Sequence, residues 1–180
     1  MVNNLKILLI APRYSFSTKA QYLYSFPLGL AYISAVLKKA KINVTCLNIN
    51  HHNGSTSEIV KKELDKQNYD VVATGNLGIG YPMVEDIFKT VKKHPSNPKI
   101  ILGGAIITSE PKVIFEALKP DFGVLGEGEE TILELLDYIY KKKDFKKVKG
   151  IIYKNNDKII ITSPRNPIKN LDDLPFPDFE

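Results

Sequence analysis

Short apolar runs alternate with stretches of helical period along most of this chain, and this alternation constrains the fold more than any other feature. Each run is bounded by turn residues, as expected for strands buried on both faces. Parallel strands joined by helices produce this pattern. The predicted strands cover residues 6–11, 43–48, 70–74, 99–102 and 122–125.

The stretches between these runs place apolar residues three and four positions apart, which is typical of helices that pack on a sheet. The first predicted helix opens at Pro27, a residue suited to the first helical position. The others cover residues 57–66, 82–93, 111–118 and 129–142. With right-handed crossovers, the sequence predicts a doubly wound α/β fold of Rossmann or flavodoxin type, built on a five-stranded parallel sheet.

After Gly150 the pattern changes to two short strands, 151–154 and 158–162, with turn-forming residues between them. This predicts an appended β-hairpin. The following segment carries four prolines, a composition typical of an extended linker that leads outward. We therefore expect a Rossmann-like domain over residues 1–148, the hairpin over 149–162 and a proline-rich linker over 163–180.

Composition excludes several classes of protein. A chain of 180 residues that is 43% hydrophobic can bury a core. It has no apolar run near the roughly 20 residues of a membrane span, and its first residues do not resemble a signal peptide. The single cysteine, Cys46, cannot form an internal disulfide, so cytoplasm is the expected compartment. Its side chain is expected to face the core. The lysine run at 141–147 fits a solvated helix end better than a nucleic-acid site.

Glycines gather where the predicted strands end. In a doubly wound sheet, ligands bind outside the carboxyl ends of the strands. A single glycine can serve an ordinary turn, but a set at one edge indicates that a ligand approaches the backbone closely. These glycines are Gly75, Gly78, Gly80, Gly103, Gly104, Gly126 and Gly128.

Two loops at this edge carry further signals. The connection after the first strand runs from Pro12 to Phe26, longer than usual for such folds, and so favours a binding role. The turn at 126–129 leads straight into a helix with acidic residues at its start. Glu127, between two glycines, is the acid expected to contact a ligand. Clustered acids would repel a phosphate, which argues against an ordinary mononucleotide site.

Other chemistries lack the residues they need. The three histidines, His51, His52 and His94, have no metal-ligand spacing. Cys46 is expected to be a small core residue and not a nucleophile. A phosphorylated receiver domain would carry acids after its first and third strands, where this chain has Ala11 and Thr74.

The order and spacing of several segments resemble the cobalamin-binding domain at the amino terminus of many radical S-adenosylmethionine enzymes. Those enzymes include anaerobic magnesium-protoporphyrin ester cyclases and methyltransferases. The resemblance covers nearly the whole chain. The segments are the first strand ending in Pro12, the helix start at 26–32, 69–72, 101–104 with Thr108 and Pro111, the turn at 126–129, 150–153 and 171–177.

The resemblance implies that cobalamin lies at the carboxyl edge, with its nucleotide tail in a slot near Gly75, Gly78, Gly103 and Gly104. No Asp-x-His-x-x-Gly motif follows the first strand, so the cobalt is expected to have no histidine ligand from the protein. No metal ligand or catalytic residue is predicted in this chain. The predicted cofactor-binding residues are Pro12, Arg13, Tyr14, Ser15, Gly75, Asn76, Gly78, Gly103, Gly104, Thr108, Gly126, Glu127 and Gly128.

The same resemblance implies a radical domain that holds a 4Fe-4S cluster and S-adenosylmethionine. One cysteine cannot supply that cluster's ligands, so this chain is expected to be an excised amino-terminal domain without catalysis of its own. Its expected partners are cobalamin and the radical barrel of the same polypeptide, an oxidative cyclase or methyltransferase, with no nucleic acid and no membrane span.

Two other functions stay open. Ile106 stands where the family often has a histidine, which favours a degenerate docking or substrate-recognition domain that no longer holds cobalamin. A nucleotide-sugar-binding domain is a further alternative, although the chain lacks a second Rossmann-like half.

Overall fold

The computed structural model describes residues 4–13 and 27–179. These residues form one sheet of seven strands, flanked by six α-helices. The strands are β1 (Lys6–Ala11), β2 (Asn43–Asn48), β3 (Val71–Gly75), β4 (Lys99–Gly103), β5 (Phe122–Val124), β6 (Ile151–Asn155) and β7 (Lys158–Ile161). The helices are α1 (Leu28–Lys39), α2 (Thr56–Leu64), α3 (Tyr81–Lys93), α4 (Ala105–Ser109), α5 (Pro111–Leu118) and α6 (Glu129–Lys141).

The strand order is β2-β1-β3-β4-β5-β6-β7, and the first five strands are parallel. The hairpin of β6 and β7 continues the same sheet, because β6 pairs antiparallel with β5. The predicted α/β fold, the five parallel strands and the hairpin are therefore confirmed. The order 2-1-3-4-5 is that of flavodoxin-like sheets.

Helices cover both faces of the sheet, as a doubly wound fold requires. Leu8 and Ile10 of β1 join the core formed with α2, α3, α4 and α5. Ile7 and Leu9 point to the opposite core, formed with α1 and α6. Successive strand residues alternate between faces, so a continuous apolar run such as β1 is buried on both sides.

Local sequence explains where the helices begin and end. Ser55 caps α2 and forms a reciprocal capping box with Glu58. Lys119 and Lys142 end α5 and α6 in the left-handed conformation. The short helix α4 was not predicted, because five residues are too few to show a helical period.

Two expectations are wrong. Cys46 is exposed, because β2 is an edge strand. The segment expected to lead outward instead lies against α1 and α6, where Arg165 donates to Thr131 Oγ1 (2.9 Å) and Asp178 N donates to Ala31 O (3.1 Å). Within residues 4–13 and 27–179, no helix is both long and apolar enough to cross a bilayer.

Candidate functional site

A cavity of about 580 Å³ opens at the carboxyl ends of the central strands, on the side of α1 and α6. Its volume lies in the usual range for small-molecule sites. Strand residues form its floor: the side chains of Leu9, Ala73, Ile101 and Val124, with Thr74 beside them. Its walls consist of the α1 start, the ends of β3 and β4 with the loops that follow them, and the β5–α6 turn: Pro27, Leu28, Gly29, Leu30, Ile33, Gly75, Asn76, Leu77, Gly103, Gly104, Ala105, Gly126, Glu127, Gly128, Glu129 and Ile132.

The strand order places the cavity at this position. After β1 the chain passes to α1 on one face, whereas after β3 it passes to α3 on the other. Loops that leave neighbouring strands in opposite directions open a crevice at the carboxyl edge. The apolar side chains then line a crevice whose upper walls include six glycines.

Two of these loops approach each other at Gly104. Ile106 N donates to Asn76 O at 2.9 Å, which joins the β4–α4 loop to the β3–α3 loop. Gly104 has a φ of +84°, and a Cβ there would lie 2.7 Å from Asn76 O. Only glycine fits this position without strain. One reason for the glycine pair after β4 is therefore the close packing of two loops.

Asn76 is buried beneath the turn that starts α3. Its Oδ1 accepts from Leu77 N at 2.7 Å, while Nδ2 is buried without a hydrogen-bond partner among the described residues. A Cβ at Gly80 would lie 2.0 Å from that nitrogen. Gly80 therefore makes room for Asn76, which anchors the loop at the cavity wall.

Thr108 connects the β4–α4 loop to the β5–α6 turn. Its hydroxyl donates to Gly104 O at 3.0 Å and accepts from Gly126 N at 3.1 Å. Thr108 thus fixes the separation of two glycine-containing loops without lining the cavity itself.

The β5–α6 turn closes the wall opposite the sheet. Gly126 has a φ of +75°, and no atom lies within 4 Å of the Cβ position there. A Cβ at Gly128 would approach Ile33 Cδ1 to 3.0 Å, so this turn packs directly on α1. Glu127 is exposed, and its Oε2 accepts from Ile168 N at 2.6 Å. The Oε2 atom of Glu129 is buried without a partner among the described residues.

The structure brings together seven of the predicted site residues at the cavity: Gly75, Asn76, Gly103, Gly104, Gly126, Glu127 and Gly128. Gly78 does not line it, and Pro12 and Arg13 lie towards the β2–α2 connection. The Arg13 guanidinium donates to His52 O at 2.7 Å and to Gly54 O at 3.0 Å. Tyr14 and Ser15 lie outside the described residues.

The predicted set omits the wall that α1 contributes. Leu28, Gly29, Leu30 and Ile33 all line the cavity, and Leu28 is 50% exposed. The signal in the sequence was an apolar run at the start of α1 that continues around the helix beyond the face that packs on the sheet. Leu77 and Ile79 are also largely exposed after β3.

None of the described residues that line the cavity is a histidine. His94 contacts Asp65 and Ser96 at the end of α3, and His51 and His52 follow β2. Ile106 stands where the family that this chain resembles often has a histidine. Its side chain is 1% exposed and lies in the core. Among the described residues, no group of three or more histidine, cysteine or acidic side chains could hold a metal ion.

Comparison with known proteins gives a family and a common fold. Residues 20–136 match the model of the B12 binding domain. An uncharacterized methyltransferase of Pyrococcus horikoshii is 30% identical over 157 residues, covering 86% of this chain and 33% of that protein. The anaerobic magnesium-protoporphyrin IX monomethyl ester cyclase of Synechocystis is 30% identical over 156 residues, covering 81% and 30%. The chain thus spans about a third of the length of these relatives.

A solved structure has the same fold. The cobalamin-dependent S-adenosylmethionine radical enzyme OxsB, with aqua-cobalamin and S-adenosylmethionine bound, superposes with a TM-score of 0.75 at 18% identity. The superposition covers 97% of this chain and 24% of OxsB. The family match spans well over half of the sequence, and the chain therefore belongs to the B12 binding domain family.

Proposed function

We propose that this domain holds cobalamin at the carboxyl edge of its sheet, with no histidine of the domain bound to the cobalt. The observation that carries the proposal is the apolar cavity whose upper walls include six glycines. Family membership supports the choice of cobalamin over other ligands of doubly wound folds.

The residues at the cavity fit such a group. No atom lies within 4 Å of the Cβ positions of Gly29 and Gly126, so both glycines leave room that a side chain would fill. Gly75, Gly103 and Gly104 bring backbone to the opposite wall. A large ligand can therefore lie against peptide groups, with Leu28, Leu30 and Ile33 contacting its apolar parts.

The domain's own contribution is to bind and orient the cofactor. Its apolar floor excludes water, and Thr108 and Asn76 hold the walls at a fixed separation. Cobalamin, when bound, supplies a cobalt centre that carries a methyl group or controls radical chemistry. The described residues that line the cavity offer apolar side chains and backbone and include no histidine, in keeping with the proposal that no histidine of this domain binds the cobalt.

For the whole protein we propose a radical S-adenosylmethionine oxidative cyclase or methyltransferase. The names of the two curated relatives support these reactions, and both relatives are about three times as long as the matched region. The 4Fe-4S cluster and S-adenosylmethionine would belong to a further barrel, because Cys46 alone cannot ligate a cluster. Cytoplasm remains the proposed compartment.

The test is retention of hydroxocobalamin by gel filtration, measured by visible absorbance, in wild type and a cavity-filling variant. Gly29→Phe places a ring in the cavity at a helical position with open space, so folding should tolerate it. Lys62→Phe, on the exposed face of α2, is the matched control. We expect wild type and control to retain cobalamin and Gly29→Phe to lose it. Failure of wild type to retain it, or equal retention by all three, would contradict the proposal.

A further inference from the structure

The C-terminal strap, residues 163–179, is tied to the start of α6. Arg165 donates to Thr131 Oγ1 at 2.9 Å and pairs with both Glu130 and Glu134. Its side chain is only 19% exposed, so these contacts are partly shielded from water. Three residues later, Ile168 N donates to Glu127 Oε2 at 2.6 Å. One end of the strap is therefore bound by charge-assisted hydrogen bonds.

The other end of the strap is tied to α1. Lys39 Nζ donates to Asp173 O at 3.1 Å, and Asp178 N donates to Ala31 O at 3.1 Å. The Asp178 carboxylate, whose side chain is 8% exposed, accepts from Ser34 Oγ and pairs with Lys38 Nζ at 2.7 Å. Leu174 packs against the core between these points. The strap thus runs from one helix to the other.

These two helices carry one wall of the cavity. Leu28, Leu30 and Ile33 line it from α1, and Gly128 and Ile132 line it from the start of α6. Glu127 connects the strap to the cavity, since it lines the cavity and accepts the hydrogen bond from Ile168 N. Arg165 and Asp178 themselves do not line the cavity. These two residues can therefore influence the site only through the position of the wall.

We propose that the strap is part of the cofactor-binding unit, and that Arg165 and Asp178 are positioning residues that hold α1 and the β5–α6 turn in the arrangement that accepts cobalamin. This inference rests on the proposed function. A wall fixed in its bound arrangement before the ligand arrives lowers the ordering cost of binding. By reciprocity, a bound ligand that favours this arrangement must also tighten the strap.

The experiment measures cobalamin release and amide hydrogen exchange in Arg165→Gln, Asp178→Asn, Arg165→Lys and the charge-matched surface control Lys62→Gln. Loss of a charge-assisted hydrogen bond corresponds to roughly a tenfold change in an equilibrium constant. We expect about tenfold faster release from Arg165→Gln, a smaller increase for Asp178→Asn, partial rescue by Arg165→Lys and no change in the control. In wild type, cobalamin should slow exchange of the Ile168 amide.

The Ile168 amide separates positioning from mere stabilisation. If the strap only stabilised the fold, local opening at Ile168 would not depend on cobalamin, and any slowing there would be no larger than the gain in global stability that all amides share. If wild type retains cobalamin but release is unchanged in Arg165→Gln and exchange at Ile168 slows by no more than that shared gain, this inference is overturned and the proposed function stands. If wild type does not retain cobalamin, both are overturned.

Discussion

The two edges of the parallel sheet are built in opposite ways. At the amino edge, carboxylates accept hydrogen bonds from backbone amides at the starts of strands. Asp70 Oδ2 accepts from Lys6 N and Asp121 Oδ2 accepts from Ile100 N, both at 2.8 Å. At the carboxyl edge, β3 and β4 end in glycine, and backbone faces a cavity. One edge satisfies its backbone groups internally, whereas the other keeps room for a ligand.

This difference separates stability from binding within one fold. Side chains at the amino edge cap strands and pair with neighbouring charges, as Lys99 does with Asp121 at 2.7 Å. Glycines at the carboxyl edge cost conformational entropy and are justified by loop packing or by a ligand. Substitutions at the amino edge should therefore change the free energy of unfolding alone, and substitutions at the carboxyl edge should change cobalamin binding.

The largest effect is expected at Gly104, because this residue both packs two loops together and lines the cavity. Gly104→Val places a β-branched side chain at a φ of +84°, with its Cβ 2.7 Å from Asn76 O. The strained backbone conformation alone costs about 1–3 kcal/mol, and separation of the loops should abolish cobalamin retention. Urea unfolding and gel filtration measure the two effects.

The control for this variant is Gly78→Ala. Gly78 has open space at its Cβ position and does not line the cavity. The urea unfolding midpoint and the cobalamin retention of Gly78→Ala should match those of wild type. Retention of cobalamin by Gly104→Val would break the link between loop packing and binding.

A smaller effect is expected at the amino edge. Asp121→Ala removes the acceptor for Ile100 N and the partner of Lys99, and should lower the free energy of unfolding by about 1–2 kcal/mol. Cobalamin affinity should not change. Asp86→Ala, at an exposed position within α3, is the matched control and should unfold as wild type does. A drop in affinity in Asp121→Ala would contradict the division between the edges.

The smallest effect concerns pH. Burial acts to raise the pKa of Glu63, but hydrogen bonds from Lys66 and Tyr69 outweigh it and lower that pKa below its usual range. A lowered pKa stabilises the fold above the unfolded value of about 4.3, and this stabilisation is lost as the pH falls through the folded value. Glu63→Gln should therefore flatten the dependence of the urea midpoint on pH in the acid range. An unchanged slope would contradict this assignment.

Local pattern predicted most of the fold because each signal was short-range. The bounds of β1, β2 and α5 agree with prediction, since apolar runs and Pro111 mark them directly. Cys46 was misplaced because its exposure depends on β2 being an edge strand, and sequence does not give strand order. The prolines of the strap predict an extended linker that leads outward, because proline favours extended chain. Its contacts join residues far apart in sequence, such as Arg165 to Thr131 and Asp178 to Ala31.

The candidate site was predictable in part. Glycines after strands indicate the carboxyl edge by a topological rule, and seven predicted residues line the cavity. Leu28, Gly29, Leu30 and Ile33 lie outside the predicted site, because an apolar run at a helix start equally fits a helix that only packs on the sheet. Thr108 was predicted through a resemblance, and the structure gives it a local role in joining Gly104 to Gly126.

The most direct test of the account is amide hydrogen exchange of the domain with and without cobalamin, compared between the two edges. We predict that binding slows exchange at 75–77, 103–106 and 126–128 by more than the uniform factor that the gain in global stability gives every amide. The amino-edge amides of Lys6 and Ile100, which the Asp70 and Asp121 carboxylates already hold, should show no slowing beyond that factor. Protection at the amino edge beyond the uniform factor, or binding without such additional protection at the carboxyl edge, would contradict the claim that the open edge is the cobalamin site.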